Sequence, residues 1–255
     1  MSQKRRTAAD EPFFLVRSLA AEHASGQSTS RHGHDWGQLI YAAAGVCTVW
    51  TEAGSWIAPP HWAVWVPAGV THSIRFAGPA ALRTLYLRPD LALALPAECG
   101  VITVSPLLRE LIIRAVGHGM LDERDATDRA LAHLIVGECH HATAPPFDLA
   151  TPTSEACRRA VSLFETGDAA LTTAAIARRV GLSTRSLERR FRLETGVTLG
   201  QWRRQAALLA ALQVLALGKP VKAAAETAGY RTASAFVAAF HANFGTTPGR
   251  YFQPS

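Results

Sequence analysis

Two stretches near the C-terminus repeat one local pattern, and a chain that carries it twice has few folds open to it. The first runs from Leu171 to Phe191 and the second from Val221 to Phe240. Each begins as a short helix of small residues and turns at a Gly followed by an apolar residue (Gly181-Leu182, Gly229-Tyr230). Each ends as a second helix closed by an aromatic, Phe191 or Phe240. Gly permits the positive φ of a sharp helix-to-helix turn, and the apolar residue plugs the space between the helices. A Ser follows each Gly at one offset (Ser186, Ser234), and Gly229 follows Gly181 by 48 positions. This is the helix-turn-helix pattern, whose second helix enters a DNA major groove.

The charge is distributed to match. The 255 residues carry a formal +6, but residues from 154 onward hold 14 Lys/Arg against 6 Asp/Glu, and residues 1–153 hold 12 against 14. The repeat-bearing part is therefore basic, as a phosphate-binding surface requires, and the rest is slightly acidic. Cys47, Cys99, Cys139 and Cys157 are scattered with no CxxC pair, which predicts neither a disulfide framework nor a zinc ribbon. The N-terminal Met-Ser-Gln-Lys-Arg-Arg run does not resemble a secretory signal, and no window is apolar for long enough to span a bilayer. These features predict a cytoplasmic protein without a membrane partner.

Residues 13–88 contain short runs rich in β-branched and aromatic residues, around Leu39, Val46, Ala63, His72 and Leu82, punctuated by Ala-Gly, Pro-Pro and Gly-Pro. Regular spacing of such runs predicts a small antiparallel barrel or jelly roll. Helical periodicity takes over at 105–118, with Leu107, Leu108, Leu111 and Ile112 on one face, and at 124–141, with Leu131, Leu134 and Ile135. The proline-rich stretch 143–153 reads as a linker. The predicted fold class is α+β in two domains. Residues 1–142 form an antiparallel β-barrel (cupin or jelly roll) with trailing helices, and residues 154–255 form an all-α domain with two helix-turn-helix motifs. Leu171 is placed to staple onto Ile176 at a helix start, and a long helix over 201–217, ended by Gly218 before Pro220, joins the two motifs.

Over roughly 155–252 the chain resembles the AraC/XylS family of bacterial transcription regulators. The specific part is Gly229-Tyr230, Ser234, Phe236, Phe240, Phe244-Gly245-Thr246-Thr247-Pro248 and Tyr251. The resemblance implies seven helices and a sequence-specific regulator, an activator that acts with RNA polymerase on double-stranded promoter DNA. In the first reading helix Leu187 and Phe191 should face the core. That leaves Ser183, Thr184, Arg185, Ser186, Glu188, Arg189 and Arg192 as DNA-contact candidates. Arg185 and Arg189 lie four apart on one face and suit guanine O6/N7 or phosphate. Glu188 suits cytosine N4, or the orienting of an Arg. In the second, Arg231, Thr232 and Ser234 are the candidates. The family's basic positions near the last aromatics are Ala238, Ala239, His241 and Ala242, and Phe252 replaces its usual Arg, so the first unit should carry more of the affinity. Lys219 and Lys222 are either phosphate contacts or solvated lysines.

Toward the N-terminus, Arg31 to Gly45 resembles the first cupin motif and Pro67 to His72 the second. The resemblance implies metal ligands at His32, His34 and His72, with Gln38 where the family has an acid. His-x-His on a strand sends both rings to one face, and neutral imidazoles suit Zn, Fe, Ni or Cu. One divalent transition metal, a ligand hydrogen-bonded by these histidines, and a structural polar cluster all remain open readings. Trp36, Trp50, Trp56, Trp62 and Trp65 are dense here. Trp50 and Trp65 read as core, and Trp36, Tyr41 and Trp62 as walls of an effector pocket. The run from Trp56 to His72 also resembles AraC-type regulators with cupin sensors. The expectation is a homodimeric regulator controlled by a small molecule or metal. Its alternatives are an effector-independent regulator that uses the barrel to dimerise, and a metal-dependent cupin enzyme. No catalytic motif is apparent.

Overall fold

The computed structural model describes residues 12–142, 149, 152–165 and 171–252. They divide into two compact units, one preceding Leu149 and one starting there. Most of the 143–153 segment read as a linker lies outside the described residues.

The first unit is built on strands β1 (Phe14–His23), β2 (Gly37–Ala44), β3 (Cys47–Thr51), β4 (Ser55–Ala58), β5 (Trp62–Val66), β6 (His72–Phe76), β7 (Ala80–Leu87), β8 (Gly100–Thr103) and β9 (Met120–Asp122). Helix α1 (Pro106–His118) precedes β9, and α2 (Ala126–His141) follows it. The strands form a six-stranded sheet, β8-β5-β2-β7-β1-β9, and a three-stranded sheet, β4-β3-β6. All their pairings are antiparallel. The expected barrel is therefore a double sheet: among the described residues no ladder joins the two sheets and closes them into a cylinder.

Strand β2 lies between β5 and β7, and its alternate residues serve two cores. Ile40 and Ala42 meet Val64, Val66 and Leu82 of their own sheet and Val49, Ile74 and Phe76 of the small sheet. Leu39 and Tyr41 face the other way, where Trp65, Leu85 and Leu87 pack under Leu108, Ile112, Ala115 and Ile135 of the helices. Ser105 caps α1 by accepting from Leu108 N, with Pro106 in the first turn. Its hydroxyl donates to Glu138 of α2 at 2.6 Å, tying the two helices together.

Three expected core residues lie at the surface. Trp50 is 39% exposed, because Cys47 and Val49 take the inward face of β3 and the period-2 pleat turns Trp50 outward. Leu107 and Leu134 are both 53% exposed, since the inner stripes run through Leu108, Ile112 and Ala115 and through Ala132, Ile135 and Cys139.

Among the described residues the second unit has seven helices: α3 (Glu155–Glu165), α4 (Thr173–Arg179), α5 (Thr184–Thr195), α6 (Leu199–Ala216), α7 (Val221–Thr227), α8 (Ala233–Phe244) and α9 (Pro248–Tyr251). Leu171 packs into the core beside buried Ile176, as a staple requires, and Thr172 caps α4. Leu187 and Phe191 of α5 are fully buried with Ile176, Leu199 and Trp202. The second motif is held by rings: Phe240 lies 5.6 Å from Phe236, 4.4 Å from Phe244 and 5.3 Å from Tyr251. Much of the family-like signature is therefore this aromatic cluster.

A Cβ on Gly37 would lie 2.2 Å from the Trp65 ring, which is buried and fixed by donation from Nε1 to Pro96 O at 2.8 Å. Gly37→Ala should cost about 1–3 kcal/mol of stability through overpacking. Urea unfolding followed by tryptophan fluorescence will show it as a lower midpoint.

Candidate DNA-reading surface and histidine site

The two helix-turn-helix motifs share their turn glycines, helix caps and closing aromatics. Gly181 and Gly229 both have φ +74°, and Gly196 and Gly245 end the reading helices in the left-handed conformation. Ser183 caps α5 by accepting from Ser186 N, and Thr232 caps α8 by accepting from Ala235 N. These caps lie 49 positions apart, as do Phe191 and Phe240, whereas the turn glycines lie 48 apart. The second turn is thus one residue longer. Ser186 is matched by Ala235, and Arg185 by Ser234; the equal Gly-to-Ser spacing in the sequence does not mark equivalent positions.

On α5, Thr184, Arg185, Arg189 and Arg192 are exposed, as expected, while Ser186 and Glu188 are half-buried. Glu188 accepts from Leu199 N at 3.3 Å, the first residue of α6, so its carboxylate helps seat the long helix. Arg190, also exposed, was not singled out in the sequence. The register aligns Arg185, Arg189, Arg190 and Arg192 with Ser234, Ala238, Ala239 and His241, leaving α8 without an Arg or Lys. Arg231, Thr232 and Ser234 are exposed at its start. Helix α6, of 18 residues and so about 27 Å long, packs against both α5 and α7. Lys219 and Lys222 are exposed beyond its end.

The structure brings His32, His34 and His72 together, with one ring nitrogen of each within 4.8 Å of the others. His32 and His34 do not sit on a strand, as expected, but on the segment leading into β2. This segment is laid along β6. His32 N donates to His72 O at 2.9 Å, His72 N returns a bond to His32 O at 2.8 Å, and Gly69 N donates to His34 O at 2.9 Å. Gln38 enters from β2 and is buried.

Following the protons shows what this arrangement needs. Each Nδ1 faces a backbone carbonyl: His32 that of Ser30 at 2.8 Å, His34 that of Trp36 at 2.5 Å, His72 that of Val70 at 2.9 Å. Carbonyls only accept, so each Nδ1 carries its proton, and each neutral ring keeps its lone pair on Nε2. The Thr84 hydroxyl donates to Leu39 O at 2.9 Å, so the Gln38 atom 2.9 Å from Thr84 Oγ1 must be the amide nitrogen. The Gln38 oxygen then faces Nε2 of His34 at 3.0 Å and Nε2 of His72 at 2.9 Å. Lone pairs meet lone pairs unless the rings are doubly protonated or a cation lies between them. Burial, with the neighbouring His32 and His34, pulls His72 down to about 4, which disfavours the doubly protonated ring at neutral pH. Three imidazole nitrogens and one amide oxygen form a donor set for a divalent transition metal.

Of the three expected pocket residues, only Trp36 lies beside the histidines. Tyr41 is on the helix-facing side of the large sheet, where burial raises its hydroxyl and Arg109 opposes the shift. Trp62 sits at the far end of β5 from Val66, the partner of Gln38. Sequence reasoning missed Arg17, Thr84 and Tyr86. Arg17 pairs with Tyr86 and Tyr86 with Gln38, placing all three on one face. The Tyr86 ring is 5.1 Å from that of His34. No local signal marks these residues, because strand register alone brings them to the site.

A basic, capped, twice-repeated helix-turn-helix unit joined to a double-sheet unit with a polar interior cluster defines a ligand-responsive DNA-binding regulator. Residues 14–149 match the model of the AraC-like ligand binding domain and residues 176–254 that of a helix-turn-helix domain. The chain is 34% identical over 223 residues to the HTH-type transcriptional regulator NimR of Escherichia coli K12, covering 86% of this chain and 81% of that one. The chain belongs to the AraC family of transcription regulators. Among solved structures it is similar to ToxT of Vibrio cholerae O395, at 10% identity and a TM-score of 0.39 over 93% of this chain and 97% of that one. It is also similar to ToxT of strain SCE256 with an unsaturated fatty acid bound, at 11% identity and a TM-score of 0.39 over 98% and 97%. The C-terminal domain of AraT from Geobacillus stearothermophilus is 25% identical, with a TM-score of 0.37, over 39% of this chain and 85% of that one. No helix among the described residues is long and apolar enough to cross a membrane.

The caps carry a direct test. Ser183→Ala and Thr232→Ala should each destabilise the helical unit by about 1 kcal/mol. Thermal melts of the full-length variants will show each as a lowered midpoint.

Proposed function

We propose that this regulator activates transcription as a homodimer, with promoter recognition concentrated on α5 and control exercised through a divalent metal held by His32, His34, His72 and the Gln38 oxygen. Its place of action is the bacterial cytoplasm, where RNA polymerase is its partner on the promoter. Residues 1–142, 143–153 and 154–255 serve as sensor and dimerisation domain, linker and DNA-binding domain. The observation that carries the metal reading is the set of lone pairs converging among His34, His72 and Gln38, which a cation satisfies and neutral hydrogen bonding does not.

Each protein group has a defined task in this reading. The Ser30, Trp36 and Val70 carbonyls fix the imidazole tautomers and orient Nε2 inward. Thr84 orients the Gln38 amide. A bound metal supplies positive charge and cross-links the 30–38 segment to β6, which favours one arrangement of the sensor over others. On DNA, Arg185 and Arg189 are positioned for base or phosphate contact, with Thr184, Ser186 and Arg192 flanking them. Ser183 and Thr232 act chiefly as caps, Glu188 as the seat of α6, and Arg231 and Ser234 make the lighter contacts of the second motif. We assign the double-sheet unit to sensing and no catalysis to it.

Elemental analysis of untagged protein should find about one transition metal per chain, lost in the His32→Ala/His72→Ala double variant. Gln38→Glu should tighten metal binding by supplying an anionic ligand, whereas in a purely structural cluster it would only bury an unpaired charge and destabilise the fold. A metal-free protein whose melting is unaffected by added Zn, Ni, Co or Cu would sink the metal reading.

Binding to promoter DNA selected from a randomised pool tests the reading helix. Arg185→Ala and Arg189→Ala should each cost about 1–3 kcal/mol where the side chain reads a base. Where it contacts phosphate, the loss should be uniform across sequences, with a salt slope shallower by about one. Ser234→Ala should cost less than either. Unchanged affinity and sequence preference in the Arg185→Ala/Arg189→Ala variant would overturn the assignment.

A further inference from the structure

We infer that the second reading helix, α8, selects thymines by their C5 methyl groups, so that the second motif adds sequence preference with little electrostatic affinity. The inference rests on the reading-helix assignment above and goes beyond it by naming the base that α8 prefers.

Register with α5 is what makes this face of α8 a reading face. Ser234, Ala235 and Ala238 stand where Arg185, Ser186 and Arg189 stand in α5, counted from the caps at Ser183 and Thr232 and checked by the closing rings of Phe191 and Phe240. Both helices lie within the family's helix-turn-helix domain. Phe236 and Phe240 are buried, which turns the opposite side of α8 outward. Ser234, Ala238, His241 and Ala242 follow one another at helical spacing on that side, with Ala235 at its edge, and all five are exposed.

Hydrogen-bonding readers are missing from this face. From Ala233 to Phe244 there is no Arg, Lys, Gln, Asp or Glu. Asn243, whose amide would suit adenine, donates through Nδ2 to Ala239 O at 2.6 Å and is turned back onto its own helix. The Thr232 hydroxyl accepts from Ala235 N at 3.2 Å as the cap. Ser234 keeps a hydroxyl, which both donates and accepts and so discriminates weakly. What remains is a row of methyl groups. Small side chains let the helix approach the base edges closely, and the apolar group a base pair shows in the major groove is the thymine methyl. Cytosine or guanine at the same place would press an amino group or two acceptors against alanines, dehydrated and unpaired. The face therefore favours thymine by contact and disfavours the alternatives by desolvation.

Uracil scanning tests this on the full-length protein. Each thymine of promoter DNA selected from a randomised pool is replaced in turn by deoxyuridine, which removes only the C5 methyl. Thymines read by α8 should lose roughly fourfold in affinity per methyl. The loss should be the same at low and at moderate salt, because no counterion is released at an apolar contact. Cytosine at such a position should cost more, and 5-methylcytosine should regain part of that cost. Ala238→Arg installs the residue found at the matching place in α5. It should erase the deoxyuridine penalty at a contacted position and shift the preference there toward guanine. Ala238→Ser should shrink the same penalty, and both changes fall on an exposed residue, so thermal melts should match the parent. In the Arg185→Ala/Arg189→Ala variant the penalties should persist, since they belong to α8. No loss at any thymine, or penalties that Ala238→Arg leaves unchanged, would overturn the inference. If the Arg185→Ala/Arg189→Ala variant still binds less well, the assignment of α5 stands and only the thymine reading is lost; if that variant binds as the parent does, the reading-helix assignment falls with it.

Discussion

The pairing of β2 with β5 and β7 is the interaction on which the first unit depends. It puts a strand that is buried on both faces from Gly37 to Ala42 in the middle of the large sheet, with Leu39 and Tyr41 in one core and Ile40 and Ala42 in the other. One polar residue interrupts that strand, and the interruption is the site. Gln38 is buried on the inner face, where Ile40 and Ala42 would otherwise extend an apolar row. A buried amide costs stability unless its hydrogen bonds are met. Thr84, on the neighbouring strand, meets one side of it and in turn donates to Leu39 O. The other side is left for the histidines, so the chemistry of the site follows from how one side chain in the sheet is satisfied.

The helical unit was legible in the sequence because its constraints are local. A positive-φ glycine, a capping hydroxyl and an aromatic at helical spacing are each properties of a few consecutive residues, and both motifs carry them. What the sequence misrepresented was the register between the copies. The serines at equal distance from the glycines suggested equivalence, but the extra residue in the second turn shifts Ser234 onto the position of Arg185. Glu188 also looked like a DNA contact until the start of α6 was seen to lie within its reach.

The double-sheet unit was legible in outline and less so in detail. The histidines and Gln38 were readable from short motifs, and the structure draws them together. The row from Arg17 through Tyr86 to Gln38 was not, because these residues are far apart in sequence and meet only through strand register. Trp50 and Tyr41 failed for a related reason. Aromatic content marks a strand, but the pleat decides which face each ring takes, and a one-residue phase error exchanges core for surface. Tyr41 belongs to the helix-covered face and Trp50 to the outside of β3.

The segment that carries His32 and His34 also runs beside the outer edge of β6. Gly26 N donates to Phe76 O, Phe76 N to Gln27 O and Thr29 N to Ile74 O, before the reciprocal bonds of His32 and His72. An uncovered strand edge would invite pairing with another chain. Its backbone, with the Thr29 hydroxyl that accepts from Ile74 N, is therefore committed to shielding the sheet, while the His32 and His34 side chains are free of that duty. Substitutions along it can exchange one set of ligand-binding groups for another without uncovering the edge, so new sensory chemistries can evolve on an unchanged frame.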